Sequence, residues 1–317
     1  MTGAPVAQAV VQAVAALRAG GLVILPTETV YGLAADAGNA QAVARLYEAK
    51  GRPRFNPLIA HVADLAAAER VARFDPLSRR LAEAFWPGPL TLVLPARAEG
   101  GVGELAQAGL ETVAVRAPAH PLAQAVLAGF GGPVVAPSAN RSGRPSPTTL
   151  ADAVEETGAA AAAALDGGPC AVGVESTVVA VLDGAPRLLR PGGLERAAIE
   201  ALTGPLAEAG SETGRSPGRL ALHYAPDAPV RLEAAQPRPG EAWLSFGPAP
   251  PGPAPPGCAV WNLSPSGDLR EAAANLFAHL RAADRTRPVA IAVAPIPSHG
   301  LGEAIDDRLR RAAGYVG

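Results

Sequence analysis

Segments of helical and strand period alternate from the first residues of this 317-residue chain, and that alternation restricts it to an α/β architecture. Val6, Val10, Val14 and Leu17 recur at helical spacing and the run closes on Gly20-Gly21, so the spacing predicts a helix over 5–19. A buried strand, Leu22–Leu25, follows and stops at Pro26. Asn39 is placed to cap a helix running to about Lys50. Further strands are expected near Leu58–Val62, Leu90–Leu94, Thr112–Arg116, Val134–Ala136, Ser176–Leu182 and Arg187–Leu189. Further helices are expected from Asp64, before Trp86-Pro87-Gly88-Pro89, at 119–128 and at 148–157. That mixture makes one compact α/β domain over residues 1–206.

Beyond it the character changes. Residues 209–229 are rich in Gly, Ser and Pro without periodicity, so 207–229 is expected to be an ordered linker. Residues 230–317 read as a smaller α/β unit, with strands at 242–246, 259–263 and 289–294 and helices at 268–283 and 302–313. Gly247–Gly257 is a Pro-rich loop inside that unit, and the chain shows no internal repeat. The N-terminus is apolar but lacks a positive flank and carries Gln8 and Gln12, which does not suit a leader. No apolar run is long enough to span a membrane. Cys170 and Cys258 form no CxxC pair, so no disulfide framework or structural zinc site is encoded, and a reducing cytoplasm is expected.

A formal net charge of −2 without basic runs excludes a strongly basic nucleic-acid coat protein and an acidic disordered tail. Of the 27 basic residues 26 are Arg, and the single Lys is Lys50. Lys and Arg are not equivalent where a compact ammonium is needed, so this one survivor stands out against an Arg-rich background.

Gly101-Val102-Gly103-Glu104-Leu105-Ala106 matches a dinucleotide fingerprint, but a charged loop separates it from the preceding strand and only a short helix can follow. No Walker A, HExxH or GxSxG sequence occurs. Two other clusters are better placed. Lys50-Gly51-Arg52-Pro53-Arg54-Phe55-Asn56-Pro57 joins a helix end to a buried strand and gathers cations on a stiff loop suited to phosphate oxygens. A solvated helix terminus complementing the dipole is the competing reading. Ser138-Ala139-Asn140-Arg141-Ser142-Gly143-Arg144-Pro145-Ser146 follows a strand end, where open α/β sheets bind ligands. Its last residues also suit an N-cap, at Ser146 or Thr148, for the next helix. Thr27-Glu28-Thr29, Thr112 with Arg116, and Glu175-Ser176-Thr177 stand at further strand ends, and a buried Arg116 requires an anionic partner, which a structural carboxylate could supply.

Taken together, these motifs resemble the YrdC-type threonylcarbamoyl-AMP synthases in order and spacing. The matching pieces are Pro26-Thr27-Glu28-Thr29-Val30-Tyr31-Gly32-Leu33, the Lys50–His61 stretch, Trp86-Pro87-Gly88-Pro89-Leu90-Thr91, Ser138-Ala139-Asn140, Val174-Glu175-Ser176-Thr177 and Leu189-Arg190-Pro191-Gly192-Gly193. Ser216-Pro217-Gly218 and His223-Tyr224-Ala225-Pro226 look like the linker of the long, two-domain form. Ala34 stands where the family usually has a second Gly, and Arg219 is the one cation between Gly218 and His223, where the family carries more. The resemblance implies an open, twisted YrdC-like α/β sheet with a concave positive face, a linker across the active-site mouth and a small Rossmann-like C-terminal domain.

The activity it implies is L-threonylcarbamoyladenylate synthesis from L-threonine, bicarbonate or CO2 and ATP, with release of pyrophosphate. The product feeds threonylcarbamoyladenosine modification of tRNA through downstream threonylcarbamoyl transferase machinery, with no direct tRNA binding required. By the same resemblance Thr29, His61, Arg116, Ala136 and Ser176 form the threonine pocket. Lys50, Arg52, Asn56, Thr112, Ser138, Asn140, Ser146 and Arg190 contact ATP, Tyr224 closes over the nucleotide, and Lys50 with Arg52 is catalytic. No acidic metal box is evident, so Mg2+ is expected to ride on the ATP phosphates. The alternative is an RNA-binding or regulatory module on the same face, against which the net charge and the lack of a stacking aromatic platform both speak. A related domain of hydrogenase maturation proteins is a third possibility, but the acylphosphatase-like and zinc segments that accompany it are not found in this chain.

Overall fold

The computed structural model of the chain describes residues 3–208, 223–248 and 255–315. Strand β1 (Leu22–Leu25) is buried at every position. Leu22 and Ile24 pack on one face against helices α2 (Ala40–Lys50) and α7 (Leu150–Thr157). Val23 and Leu25 pack on the other against α1 (Gly3–Arg18) and α6 (Pro121–Phe130). An uninterrupted apolar run is what a strand covered on both faces requires. β1 pairs antiparallel with β2 (Gly32–Asp36), which leads through β6 (Val134–Val135) to β3 (Ile59–His61).

β3 runs parallel to β5 (Thr112–Arg116), with His61 opposite Arg116 at their C-terminal ends. β5 pairs with β4 (Leu90–Pro95), β4 with β8 (Thr177–Leu182), and β8 with β9 (Ala185–Arg190). With β7 (Ala161–Ala164) and β10 (Ala207–Glu208) as edges, the ten-stranded order is β10-β9-β8-β4-β5-β3-β6-β2-β1-β7. Because side chains alternate along a strand, this half of the sheet has two distinct faces. Leu92, Leu94, Val113, Val115 and Val179 pack with α3 (Leu65–Val71), α4 (Pro76–Phe85) and α8 (Arg196–Thr203). Ile59, Val93, Ala114, Val178 and Ala180 form a separate cluster on the opposite face.

The expected caps fall in place: Asn39 accepts the Gln41 and Ala42 amides, Asp64 caps α3, and Gly51 closes α2 in a left-handed conformation. α7 differs, since its cap is Thr149 rather than Ser146 or Thr148; both of those are buried instead. The fingerprint-like Gly103 precedes only a four-residue helix, α5 (Glu104–Gln107). β2, β7 and β10 were not anticipated, because Gly-Leu-Ala-Ala-Asp and a run of four Ala lack the β-branched residues that mark strands.

A second sheet is formed by β11 (Val230–Arg231), β12 (Ala242–Ser245), β13 (Val260–Asn262) and β14 (Ile291–Val293), all parallel, in the order β11-β14-β12-β13. α9 (Leu269–Arg285) and α10 (Leu301–Ala312) supply Leu276, Phe277, Leu280 and Ile305 to its core. Val30, Val174 and Tyr224 join the same core. Of the expected linker 207–229, Ala207 and Glu208 form the edge strand β10, and 209–222 lie outside the described residues, as do 249–254 of the Pro-rich loop. Among the described residues no helix is long and apolar enough to cross a membrane.

Candidate active site

The strand ends on the helix-poor side of the large sheet open into a cleft. Thr29, Arg52, His61, Arg116, Ala136, Ser138, Ser176, Arg190 and Tyr224 line it, so nine of the residues expected from sequence come together. Pairing places them: His61 and Arg116 are register partners, and the Gly32–Ser138 bridge ties the loop after β1 to the loop after β6. Ser176 is fixed by its hydroxyl at 2.7 Å from Thr91 Oγ1. Gly192 lies against the same segment, where a Cβ would come within 2.4 Å of the Glu175 carbonyl oxygen, so a side chain there would displace the wall of the cleft.

At one end Arg116 makes three hydrogen bonds. Its Nε donates to the Gly88 carbonyl (3.1 Å), Nη1 to Thr29 Oγ1 (2.9 Å) and Nη2 to Glu28 Oε1 (2.6 Å). Glu28 is thus the anionic partner that a buried Arg116 requires, and its second oxygen accepts the Ala119 amide at 3.0 Å. Burial, reinforced by Arg116, lowers His61 to about 3, so its ring is neutral near pH 7. Its Nδ1 lies 3.1 Å from the Ile59 carbonyl.

At the other end Lys50 and Arg52 meet neutral acceptors. Arg52 donates to the carbonyls of Asn56 (3.4 Å) and Pro57 (3.1 Å). Arg190 Nη2 donates to the Ser176 carbonyl at 2.9 Å. Lys50, Asn56, Thr112, Asn140 and Ser146 are buried but do not line the cleft. Lys50 Nζ donates to the carbonyls of Ser138 and Asn140, which pins the loop after β6 to the end of α2. Burial, and then the charge of Arg52, hold Lys50 well below its ordinary value. Asn140 Nδ2 donates to the carbonyls of Arg141 and Arg144, and Ser146 donates to Glu175 Oε1. Thr112 begins β5, the strand that Arg116 ends.

Three buried polar atoms around this end have no hydrogen-bond partner among the described residues: Asn140 Oδ1, His223 Nδ1 and Tyr224 Oη. Such atoms are costly unless a ligand or water completes them. Tyr224 also adopts a left-handed backbone, φ 61°, an uncommon state for a bulky residue. Its ring stacks edge-on with His223, centroids 3.9 Å apart.

The chain is similar to known proteins over nearly its whole length. A family model described as "Telomere recombination" (Sua5_yciO_yrdC) matches residues 15–192. A second, "Threonylcarbamoyl-AMP synthase, C-terminal domain", matches residues 194–314. The threonylcarbamoyl-AMP synthase of Bacillus subtilis is 40% identical over 96% of this chain and 93% of its own length. The chain belongs to the threonylcarbamoyl-AMP synthase family. Another member of the synthase family, from Pyrococcus abyssi, is 41% identical over 94% of this chain and 92% of its own. The crystal structure of P. abyssi Sua5 complexed with L-threonine superposes with a TM-score of 0.87 at 38% identity, covering 96% of this chain and 94% of that one. The YrdC-type resemblance and the fold of a large twisted sheet with a smaller α/β unit are therefore borne out.

Sequence reasoning did not assign Glu28, Glu175 or His223 to the site. Glu28 and Glu175 stand inside the quoted motifs; the signal for Glu28 was the buried Arg116 in need of a carboxylate, and Glu175 had no such signal. Among the described residues no group of three or more His, Cys, Asp or Glu side chains could hold a metal ion, so this synthase-family chain shows no fitted site for Mg2+.

Proposed function

We propose that the chain makes L-threonylcarbamoyladenylate and pyrophosphate from L-threonine, bicarbonate or CO2, and ATP. The carrying observation is that one cleft joins a charge-balanced pocket, Arg116–Glu28 with Thr29 and His61, to a cationic one with Arg52, Arg190 and Ser138. An amino acid suits the first, since its carboxylate meets Arg116 while the hydroxyls of Thr29 and Ser176 and the neutral His61 ring read its hydroxyl and amine. A triphosphate suits the second. The unpartnered oxygens of Asn140 and Tyr224 support this reading, since a nucleotide carries donors for both.

The chemistry needs no protein nucleophile. The threonine amine forms a bond to the carbon of CO2 and loses a proton, giving a carbamate; from bicarbonate the same bond forms with loss of water. A carbamate oxygen then attacks the α-phosphorus in line, the bond to the β-phosphate bridging oxygen breaks, and pyrophosphate leaves. Two anions must approach each other, so Arg52 and Lys50 lower the barrier by placing positive charge where it develops. An approaching phosphate favours the charged form of Lys50, as any adjacent anion does. Mg2+ enters as part of the ATP substrate.

We further propose that the product passes to a tRNA threonylcarbamoyl transferase, in the cytoplasm, where ATP and tRNA meet. The test is pyrophosphate release by the purified chain. Release is expected to need threonine, bicarbonate and ATP together, and release at the same rate without threonine would refute the assignment.

A further inference from the structure

Two arginines of the C-terminal unit reach into the large domain and end on its buried carboxylates. Arg308 of α10 is 1% exposed and its Nε donates to Glu175 Oε2 at 3.0 Å. Arg281 of α9 is 5% exposed and its Nη1 donates to Glu156 Oε1 at 3.0 Å. Each carboxylate faces two ways. The other oxygen of Glu175 accepts the Ser146 hydroxyl at 2.5 Å, and the residue after it is the cleft-lining Ser176. Glu156 also accepts Arg144 Nε (2.9 Å) and the Arg141 amide (3.0 Å). The same guanidinium groups hold backbone as well, Arg308 at the Pro191 carbonyl (2.6 Å) and Arg281 at the Pro145 carbonyl.

The effect is that two walls of the cleft, the loop 138–146 and the segment before β8, are also fastened from outside their own domain. Packing repeats the message. Val174 lies in the core of the C-terminal unit with Val172 against it. Between them Gly173 (φ +75°) touches α9 so closely that a Cβ would sit 2.3 Å from the Ala273 carbonyl oxygen. Arg308 also stands over the Tyr224 ring, 5.6 Å from its centroid.

We propose that the C-terminal unit is a positioning device for the cleft, and that Arg308, acting through Glu175, is its principal positioning residue, with Arg281 acting likewise through Glu156. This rests on the synthase reading for its kinetic consequence but not for its structural one. Neither arginine lines the cleft. A bidentate guanidinium suits the task, because one planar group bridges a carboxylate and a carbonyl at fixed angles, which an ammonium does not. The ion pair also keeps Glu175 charged: burial alone would raise its carboxyl, and Arg308, Arg190 and Ser146 together outweigh that.

The test compares the full-length chain with Arg308→Met and Arg308→Lys. In the unliganded protein, hydrogen exchange of the amides at 141–146 and 174–177 is expected to quicken about tenfold in Arg308→Met while α9 and α10 stay protected. The KM for ATP is expected to rise about tenfold, a change that a loss of active fraction alone does not produce. Arg308→Lys recovers part of both. Wild-type exchange and wild-type KM in Arg308→Met overturn the proposal, as does equal loss of protection in α9 and α10, which would make Arg308 a scaffold residue. If Arg308→Met does not fold, Arg308→Lys decides by the same two readouts, and wild-type values overturn the proposal. A wild-type chain without threonine-dependent pyrophosphate release refutes the synthase reading, while the exchange result still judges the latch.

Discussion

Arg116 and Lys50 are both buried cations beside one cleft, yet the chain surrounds them differently. Arg116 is matched by Glu28, so its end of the cleft is close to neutral before substrate arrives. Lys50 and Arg52 make no carboxylate ion pair among the described residues and are held by carbonyl oxygens. A buried cation without a counter-ion is costly, and the depressed Lys50 value reflects that cost. The difference separates two tasks. A zwitterionic amino acid needs an oriented guanidinium, whereas a triphosphate brings the missing negative charge itself.

The largest test of this contrast is Lys50→Ala, expected to slow pyrophosphate release by at least about 100-fold. Activity within a few-fold of wild type would remove Lys50 from the phosphate end altogether. Arg116→Gln comes next. It is expected to raise the KM for threonine by roughly 10- to 100-fold, the range for losing one charged hydrogen-bonded contact, while the KM for ATP changes little. Parallel shifts in both constants would mean that the two ends are not separable.

Acid titration gives a smaller effect. The Glu175 carboxyl is held at about 2 against an ordinary 4.5. A carboxyl lowered by folding contributes stability in full above its unfolded value and loses it as pH falls through the folded one. Urea unfolding is therefore expected to lose on the order of 3 kcal/mol from this group between about pH 4.5 and 2. Glu175→Gln is expected to flatten that slope, and an unchanged slope would show that Arg308 does not hold the carboxylate charged. The smallest expectation is a null slope. With His61 at about 3, the KM for threonine should show no inflection from this ring between pH 5 and 8. A break near 6.5 that vanishes in His61→Gln would contradict it.

Much of this was readable along the chain. The strands that bear His61, Arg116 and Ser176 are marked by β-branched and apolar runs, and Asn39, Asp64 and Gly51 punctuate helices as their chemistry requires. β2 and β7 were not readable, because Ala-rich segments become strands only when neighbours pair with them. Within the site, single residue types at strand ends could be named, but Glu28 and Glu175 could not be given partners. Nothing in their spacing tells which distant arginine reaches them, 88 and 133 positions away.

The sequence by itself determined the α/β class, the family and most of the residues that meet in the cleft, since these depend on local period and on motifs read in order. Tertiary structure alone decided which cations are neutralised and which are left for a ligand. It also decided that Lys50 pins a loop rather than lining the cleft, and that Arg281 and Arg308 arrive from a second unit. The physical reason is that burial and charge pairing are properties of the surroundings in space. A buried side chain takes its protonation state and its role from neighbours that the chain supplies a hundred or more residues away.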